Sequence, residues 1–212
     1  QLLSAYMIII YLGLSIGMLL LNVSDPINYE PFILVSVLLS LALVPILLTK
    51  RSAPKFKKIG TMNILELYKI SPLGSVSSFC TGIIHGGFFS LIAFYATKAN
   101  FNLFETSILL FISTISGVLG QWPIGYVSDK YDRRSVIVIT TFFAALLAFL
   151  SILTSNDPIE NIYWLSEMHY KKILFFIFVG LYTSFCLPLF SLNLAHTNDF
   201  VDKNKFVAAG GG

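Results

Sequence analysis

Apolar residues gather along this chain in six long blocks, at 2–22, 31–49, 72–97, 106–128, 135–155 and 173–197, and none of them contains Asp, Glu, Lys or Arg. A helix needs roughly 20 such residues to cross a bilayer. Lipid offers no partner to a bare N–H or C=O, so each block is predicted to be helical. The expected fold class is all-α: a polytopic membrane protein with six transmembrane helices. Composition sharpens this. The chain is 56% hydrophobic and 12% charged, about half the charge of a soluble domain, and its mean hydropathy is +0.79.

The first block lacks the basic leader and small-residue cleavage site of a signal peptide. Running from Gln1 to "AAGGG", the chain reads as a piece of something longer. Its two cysteines, Cys80 and Cys186, both fall inside apolar blocks and offer neither a disulfide framework nor a metal-ligand spacing.

Between the blocks, Lys and Arg are distributed unevenly. Loops 50–71, 129–134 and 198–205 hold eleven of the fourteen, and the opposite side holds only Lys98, Lys171 and Lys172. That bias assigns the first set of loops to the cytoplasm. Tyr163, Trp164 and Tyr170 then fall where an outer aromatic belt would lie. The long inner connection begins with a basic run suited to anionic lipid. It continues into "NILELYK", where Asn63 and Glu66 have capping-box spacing, and Ile64, Leu65 and Tyr68 share a side. A short helix lying on the membrane is expected there, and Ser71 and Pro72 are expected to restart the chain as N-cap and first helical residue.

The densest charge lies in "GYVSDKYDRR" at 125–134. With one helix taken to end near Gly125 and the next to begin near Ser135, Asp129 follows a helix C-terminus. Arg133 and Arg134 precede an N-terminus, and the macrodipole disfavours both placements. Asp132 is placed to cap the second helix. The remaining charges are expected to pair with neighbouring helix ends and hold this side shut in one conformation.

The decapeptide resembles the loop signature of the major facilitator superfamily, Gly-x-x-x-Asp-Arg/Lys-x-Gly-Arg/Lys-Arg/Lys. Gly125, Asp129, Lys130, Arg133 and Arg134 match, and Asp132 stands where glycine is usual. "SPLGSVSSFCTGIIHGGFF", "GQWPIGYVSDKYDRR" and "PLFSLNLAHTNDF" are similar to the YcaD-type branch of bacterial permeases. The resemblance implies part of a twelve-helix fold, covering about helices 5 to 10 and the start of 11. Residues 1–49 would be the last two helices of the amino-terminal bundle, 50–71 the central cytoplasmic loop, and 72–212 the first four helices of the carboxy-terminal bundle and the start of the next. It also implies that helices 7 and 10 line a central cavity while 6 and 9 face lipid.

The residues agree with that division. The second and fifth blocks are almost wholly aliphatic or aromatic. The third carries Ser78, Thr81 and His85 as a polar stripe beside Gly82, Gly86 and Ser90, a small-residue face that lets another helix approach closely. The sixth has Tyr182, Cys186, Asn193 and His196 on one side. His85 is the only ionisable group deep in a span, which marks it as a functional candidate. It is weighed as a cavity-lining residue, a packing residue bonded to Ser78, Thr81 or a backbone carbonyl, or a proton relay. Gly13, Gly17, Gly117 and Gly120 are expected to be packing contacts. Pro45, Pro123 and Pro188 are expected to kink their helices, and Pro188 is weighed as either a gate hinge or a structural kink alone.

These features point to a transporter of a small molecule in the bacterial inner membrane, with the lipid bilayer and the amino-terminal helices of the same protein as partners. Proton coupling stays open, because no carboxylate lies within the spans. A transporter-like sensor is the alternative. An integral-membrane enzyme using His196 and Asp199, one helical turn apart, is a weaker one, since the pair lacks a nucleophile or third ligand. Otherwise His196 and Asp199 read as a cytoplasmic gate. No nucleotide-binding motif, cofactor signature or nucleic-acid patch is present.

Overall fold

The computed structural model describes residues 2–23, 27–49, 63–154 and 168–201, and these fold into helices. They are α1 (Leu2–Leu19, extended by a 3-10 turn at Leu20–Asn22), α2 (Glu30–Leu48), α3 (Ile64–Ile70), α4 (Pro72–Lys98), α5 (Leu103–Lys130), α6 (Arg133–Thr154), α7 (Met168–Cys186) and α8 (Pro188–Phe200). Six helical segments are long and apolar enough to cross a membrane, with α7 and α8 together forming the last.

At the centre stands α5. It packs against α1 on one side and α7 on another, α6 packs on α7, and α8 packs on α4. The α5–α7 seam depends on a missing side chain. Pro188 has no N–H to give the carbonyl four residues earlier, and that carbonyl, on Ser184, is met by Gly120 of α5. A Cβ built on Gly120 would lie 2.7 Å from the Ser184 carbonyl carbon and closer still to its oxygen. Gly117 makes room for the Leu187 side chain, and Gly180 faces Ile112 and Ser116. Small residues here let two backbones approach closely. Pro188 acts as a helix start, so the last apolar block is two helices joined at Leu187.

Gly13, Gly17, Gly82 and Gly86 behave differently from expectation. A Cβ at any of them meets nothing within 4 Å, so these faces of α1 and α4 have no partner among the described residues. No residue of α2 is buried.

The turn from α4 to α5 is tightly specified. Asn100 has φ of 57°, a left-handed conformation that Asn tolerates better than most residues. Phe101 N–H then reaches Ala96 O at 2.9 Å and Asn100 N–H reaches Thr97 O at 3.2 Å, the bonds of a Schellman stop. Asn102 immediately caps α5. Its side chain accepts from Glu105 N–H at 2.8 Å, and Glu105 Oε2 accepts from Asn102 N–H at 2.9 Å.

The capping box therefore forms at Asn102 and Glu105. At Asn63 the helix α3 begins as expected, but the Asn63 side chain makes no cap bond, because solvent can serve the exposed first turn instead. Pro72 takes the first position of α4 as expected. Ser71 does not cap it: its ψ of 81° falls short of the extended value a capping side chain needs, and its hydroxyl is buried without a partner. Tyr163, Trp164, the basic run at 50–58 and the "FVAAGGG" segment lie outside the described residues; Tyr170 is exposed at the start of α7.

Candidate functional site

The charged decapeptide is mostly helix. The α5 helix continues past Gly125 through Asp129 and Lys130, and α6 begins at Arg133, leaving Tyr131 and Asp132 as the break. Asp132 ends the ambiguity by capping α6: its carboxylate accepts from Ser135 N–H at 3.1 Å and from the Ser135 hydroxyl at 3.0 Å. Those two bonds hold its carboxyl below its ordinary pKa. Asp132 does not need the left-handed backbone that a glycine there would permit; among the described non-glycine residues only Asn100 has positive φ.

Asp129 therefore lies in the last turn of α5 and Arg133 in the first turn of α6. Each charge is unfavourable for its own helix dipole, and each offsets the other. Arg133 Nη2 sits 3.5 Å from Asp129 Oδ1, and its Nε sits 3.0 Å from Asp199 Oδ2 on α8. One guanidinium thus ties together the ends of three helices. Arg134 lies over the Phe200 ring at 5.9 Å, and the His196 ring meets Phe200 edge-on at 5.0 Å.

Asp129, Arg133, Arg134, His196 and Asp199 line one polar hollow of about 530 Å³ with Ser128, Tyr131, Asp132 and Phe200. The structure thus brings Asp129, Arg133 and Arg134 of the signature together with His196 and Asp199 in a single cluster. Lys130 is not part of it. Its ammonium lies 4.3 Å from the centre of the Tyr126 ring, on another face of α5. Gly125 faces Ser4 of α1, one turn below Asp129.

The cavity candidates meet each other deeper in the bundle. Asn193 donates to the Thr81 hydroxyl at 2.9 Å, which in turn donates to Ser77 O at 2.7 Å, joining α8 to α4. His85 Nε2 lies 3.1 Å from Cys186 O. A carbonyl only accepts, so Nε2 carries the hydrogen. This bond from α4 falls on the last residue of α7, beside the Leu187–Pro188 joint. The Cys186 thiol donates to Tyr182 Oη at 3.3 Å, and the Tyr182 ring packs 5.5 Å from Phe88. Thr81, Cys186 and Asn193 are buried, whereas Ser78, His85 and Tyr182 keep partial exposure.

Sequence reasoning passed over two polar links. Gln121, fully buried in α5, donates to Ser191 of α8, which donates to Pro188 O. An amide inside an apolar block was the available signal, because such groups act as interhelical ties. At the opposite end of α5, Glu105 pairs with Lys172 of α7 at 2.5 Å, and Lys172 also lies 4.6 Å from the Phe101 ring centre. Among the described residues no group of three or more His, Cys, Asp or Glu could hold a metal ion.

Comparison with known proteins locates this arrangement in a family. The model of the Major Facilitator Superfamily matches residues 1–211. The uncharacterized MFS-type transporter YcaD of Escherichia fergusonii is 27% identical over 158 residues, covering 73% of this chain and 41% of the relative. The uncharacterized MFS-type transporter YE1530 of Yersinia enterocolitica is 29% identical over 148 residues, covering 69% of this chain and 39% of the relative. The chain thus spans about two fifths of the length of the curated relatives it matches. No solved structure matches it.

Proposed function

The chain belongs to the Major Facilitator Superfamily, and from that membership we propose that it forms part of a secondary transporter. It moves a small organic solute across the bacterial inner membrane by alternating access, with two bundles rocking about a midplane site. Residues 1–49 supply the last two helices of the amino-terminal bundle, 50–71 the central cytoplasmic loop carrying α3, and 72–212 the first four helices of the carboxy-terminal bundle and the start of the next. The charged hollow faces the cytoplasm.

The observation that carries this reading is Arg133, shared between Asp129 and Asp199 at the meeting point of α5, α6 and α8. These pairs are partly exposed, and exposed pairs contribute on the order of 0–1 kcal/mol each. That magnitude suits a latch which must release in every cycle; a deeply buried pair would hold one state too firmly. Lys130 takes no part in the latch. His196 and Asp199 engage Phe200 and Arg133 respectively, which supports a gating role for both.

On the solute side, Ser78, His85 and Tyr182 are the polar groups that remain partly open. Thr81, Cys186 and Asn193 hold α4, α7 and α8 around them. His85 is placed to sense the solute and the α7–α8 joint together, since its ring bonds the carbonyl beside Pro188. A coupled proton, if the cycle uses one, has His85 as its candidate carrier.

The test is uptake by the full-length protein in proteoliposomes. Asp129→Asn is expected to insert normally and to transport more slowly than wild type. Wild-type uptake by Asp129→Asn would overturn the latch. Solute binding without any uptake by the wild type would favour a sensor.

A further inference from the structure

Lys130 matches the charged signature, yet it has no place in the charged hollow, and its actual neighbours form a stripe of their own. Leu119, Trp122, Tyr126 and Lys130 follow one another at three- and four-residue steps and so share one face of α5. Leu119 is 70% exposed, Trp122 71% and Tyr126 48%, and Lys130 is exposed as well. The Trp122 and Tyr126 rings stack at 6.3 Å with 24° between their planes. The Lys130 ammonium caps the stack at 4.3 Å from the Tyr126 centre. Gly120 and Gly117 turn toward α7 and Leu187, and Gly125 toward α1; Trp122, Tyr126 and Lys130 lie away from these contacts, and Leu119 borders the groove between α5 and α7.

We infer that this stripe binds one anionic phospholipid, its phosphate held by Lys130 and its acyl chain laid along Tyr126, Trp122 and Leu119. The depth fits. Eight residues separate Trp122 from Lys130, about 12 Å of helix, which carries the face from the headgroup level into the hydrocarbon boundary where Trp and Tyr concentrate. The charge fits too. A lysine on a lipid-facing helix end normally extends its stem toward water; here the ring below fixes the ammonium on one side and leaves its other donors for an anion. Among the described residues Lys130 is paired with no carboxylate. The adjacent Asp129 is engaged by Arg133, so its repulsion of a phosphate is offset. A zwitterionic headgroup carries no net charge to reward the site, so anionic lipid is favoured over neutral lipid.

The orientation proposed above would make this an inner-leaflet lipid, but the test does not rest on it. In nanodiscs both leaflets carry the same lipid and no transport is read. The full-length protein is reconstituted with dibrominated phosphatidylglycerol or dibrominated phosphatidylcholine at equal mole fraction. The quenching of Trp122 is taken as the difference between wild type and Trp122→Phe. Anionic lipid is expected to occupy the stripe about fivefold more readily, as one basic residue near an anionic surface implies. Lys130→Gln should abolish the preference, and Lys130→Arg should restore it. Equal quenching by both lipids, or a preference that survives Lys130→Gln, would overturn the inference. Absence of quenching by either lipid would show that protein covers the face, and displacement by inorganic phosphate would show a soluble-anion site; both also overturn it.

Discussion

Replacing Gly120 with alanine adds one methyl group at the point where α5 and α7 come closest. The new Cβ would lie 2.7 Å from the Ser184 carbonyl carbon and 3.0 Å from its Cα, against about 3.4 Å for ordinary contact. The obstacle is backbone in a helix, so no rotamer change relieves it, and because the Ser184 oxygen is nearer still, the two helices must separate by more than about 1 Å. A radial gap of 0.5–1 Å forfeits about a quarter to a half of each dispersion contact along the seam. Overpacking of this kind costs about 1–3 kcal/mol, and an immovable backbone places Gly120→Ala at the upper end. Alanine's better helix propensity returns about 1 kcal/mol, leaving a net loss of about 2 kcal/mol. Gly13→Ala is the control. It gains the same propensity and meets nothing within 4 Å among the described residues, so on those contacts it should be neutral or slightly stabilising. Reversible unfolding of the full-length protein in mixed micelles measures both. A Gly120→Ala protein as stable as wild type would refute the close approach of α5 to Ser184.

Three further outcomes follow from the same contacts. A double-mutant cycle of Arg133→Gln and Asp199→Asn should give a coupling of no more than ~1 kcal/mol that shrinks with added salt, as partly exposed pairs do; zero coupling at low salt would remove the pair. At the other end of α5, Asn102→Ala should cost about 1 kcal/mol through the lost cap, while Lys172→Met should leave that cap intact and loosen only α7, distinguishable by amide exchange at the two sites. Because Asp132 titrates below its ordinary value of 3.8, its cap adds stability above that pH and loses it as pH falls through the lowered value. NMR titration should find the carboxyl below 3.8 in wild type and closer to it in Ser135→Ala, which deletes one of the two donors.

Hydrophobic blocks revealed the spans to within a few residues because lipid enforces them independently of tertiary packing. The expected block at 106–128 became Leu103–Lys130, and that at 135–155 became Arg133–Thr154. Local rules did less well where two sites competed for one signature. Asn63 with Glu66 and Asn102 with Glu105 have the same spacing, yet only the second closes into a reciprocal cap. Its helix end follows a left-handed turn that holds it in place; the first starts a seven-residue helix open to solvent. Long-range pairings were legible only as types of residue. The charges of the turn were expected to pair with neighbouring helix ends, but the bond from Arg133 to Asp199, 66 positions away, depends on how α8 lies across α6. Gly82 and Gly86, four residues apart, face nothing in the described structure, while Gly117 and Gly120, three apart, pack closely, since spacing alone does not say which helix arrives.

The position of the charges also bears on where motion can begin. The α5 helix is tied to α7 at its amino-terminal end by Glu105 and Lys172, midway along by Gly120 on Ser184, and to α8 by Gln121 and Ser191. These links run the length of the helix and differ in kind, so α5, α7 and α8 should move as one body. At the charged end α1 meets α5 where Ser4 faces Gly125, one turn from Asp129. If α1 belongs to the other bundle, separation of the bundles at that end parts Ser4 from Gly125 without breaking any of the three ties. A disulfide engineered between Ser4→Cys and Gly125→Cys therefore ought to arrest transport while leaving solute binding intact. A crosslinked protein that still cycles at the wild-type rate would show that opening takes place elsewhere.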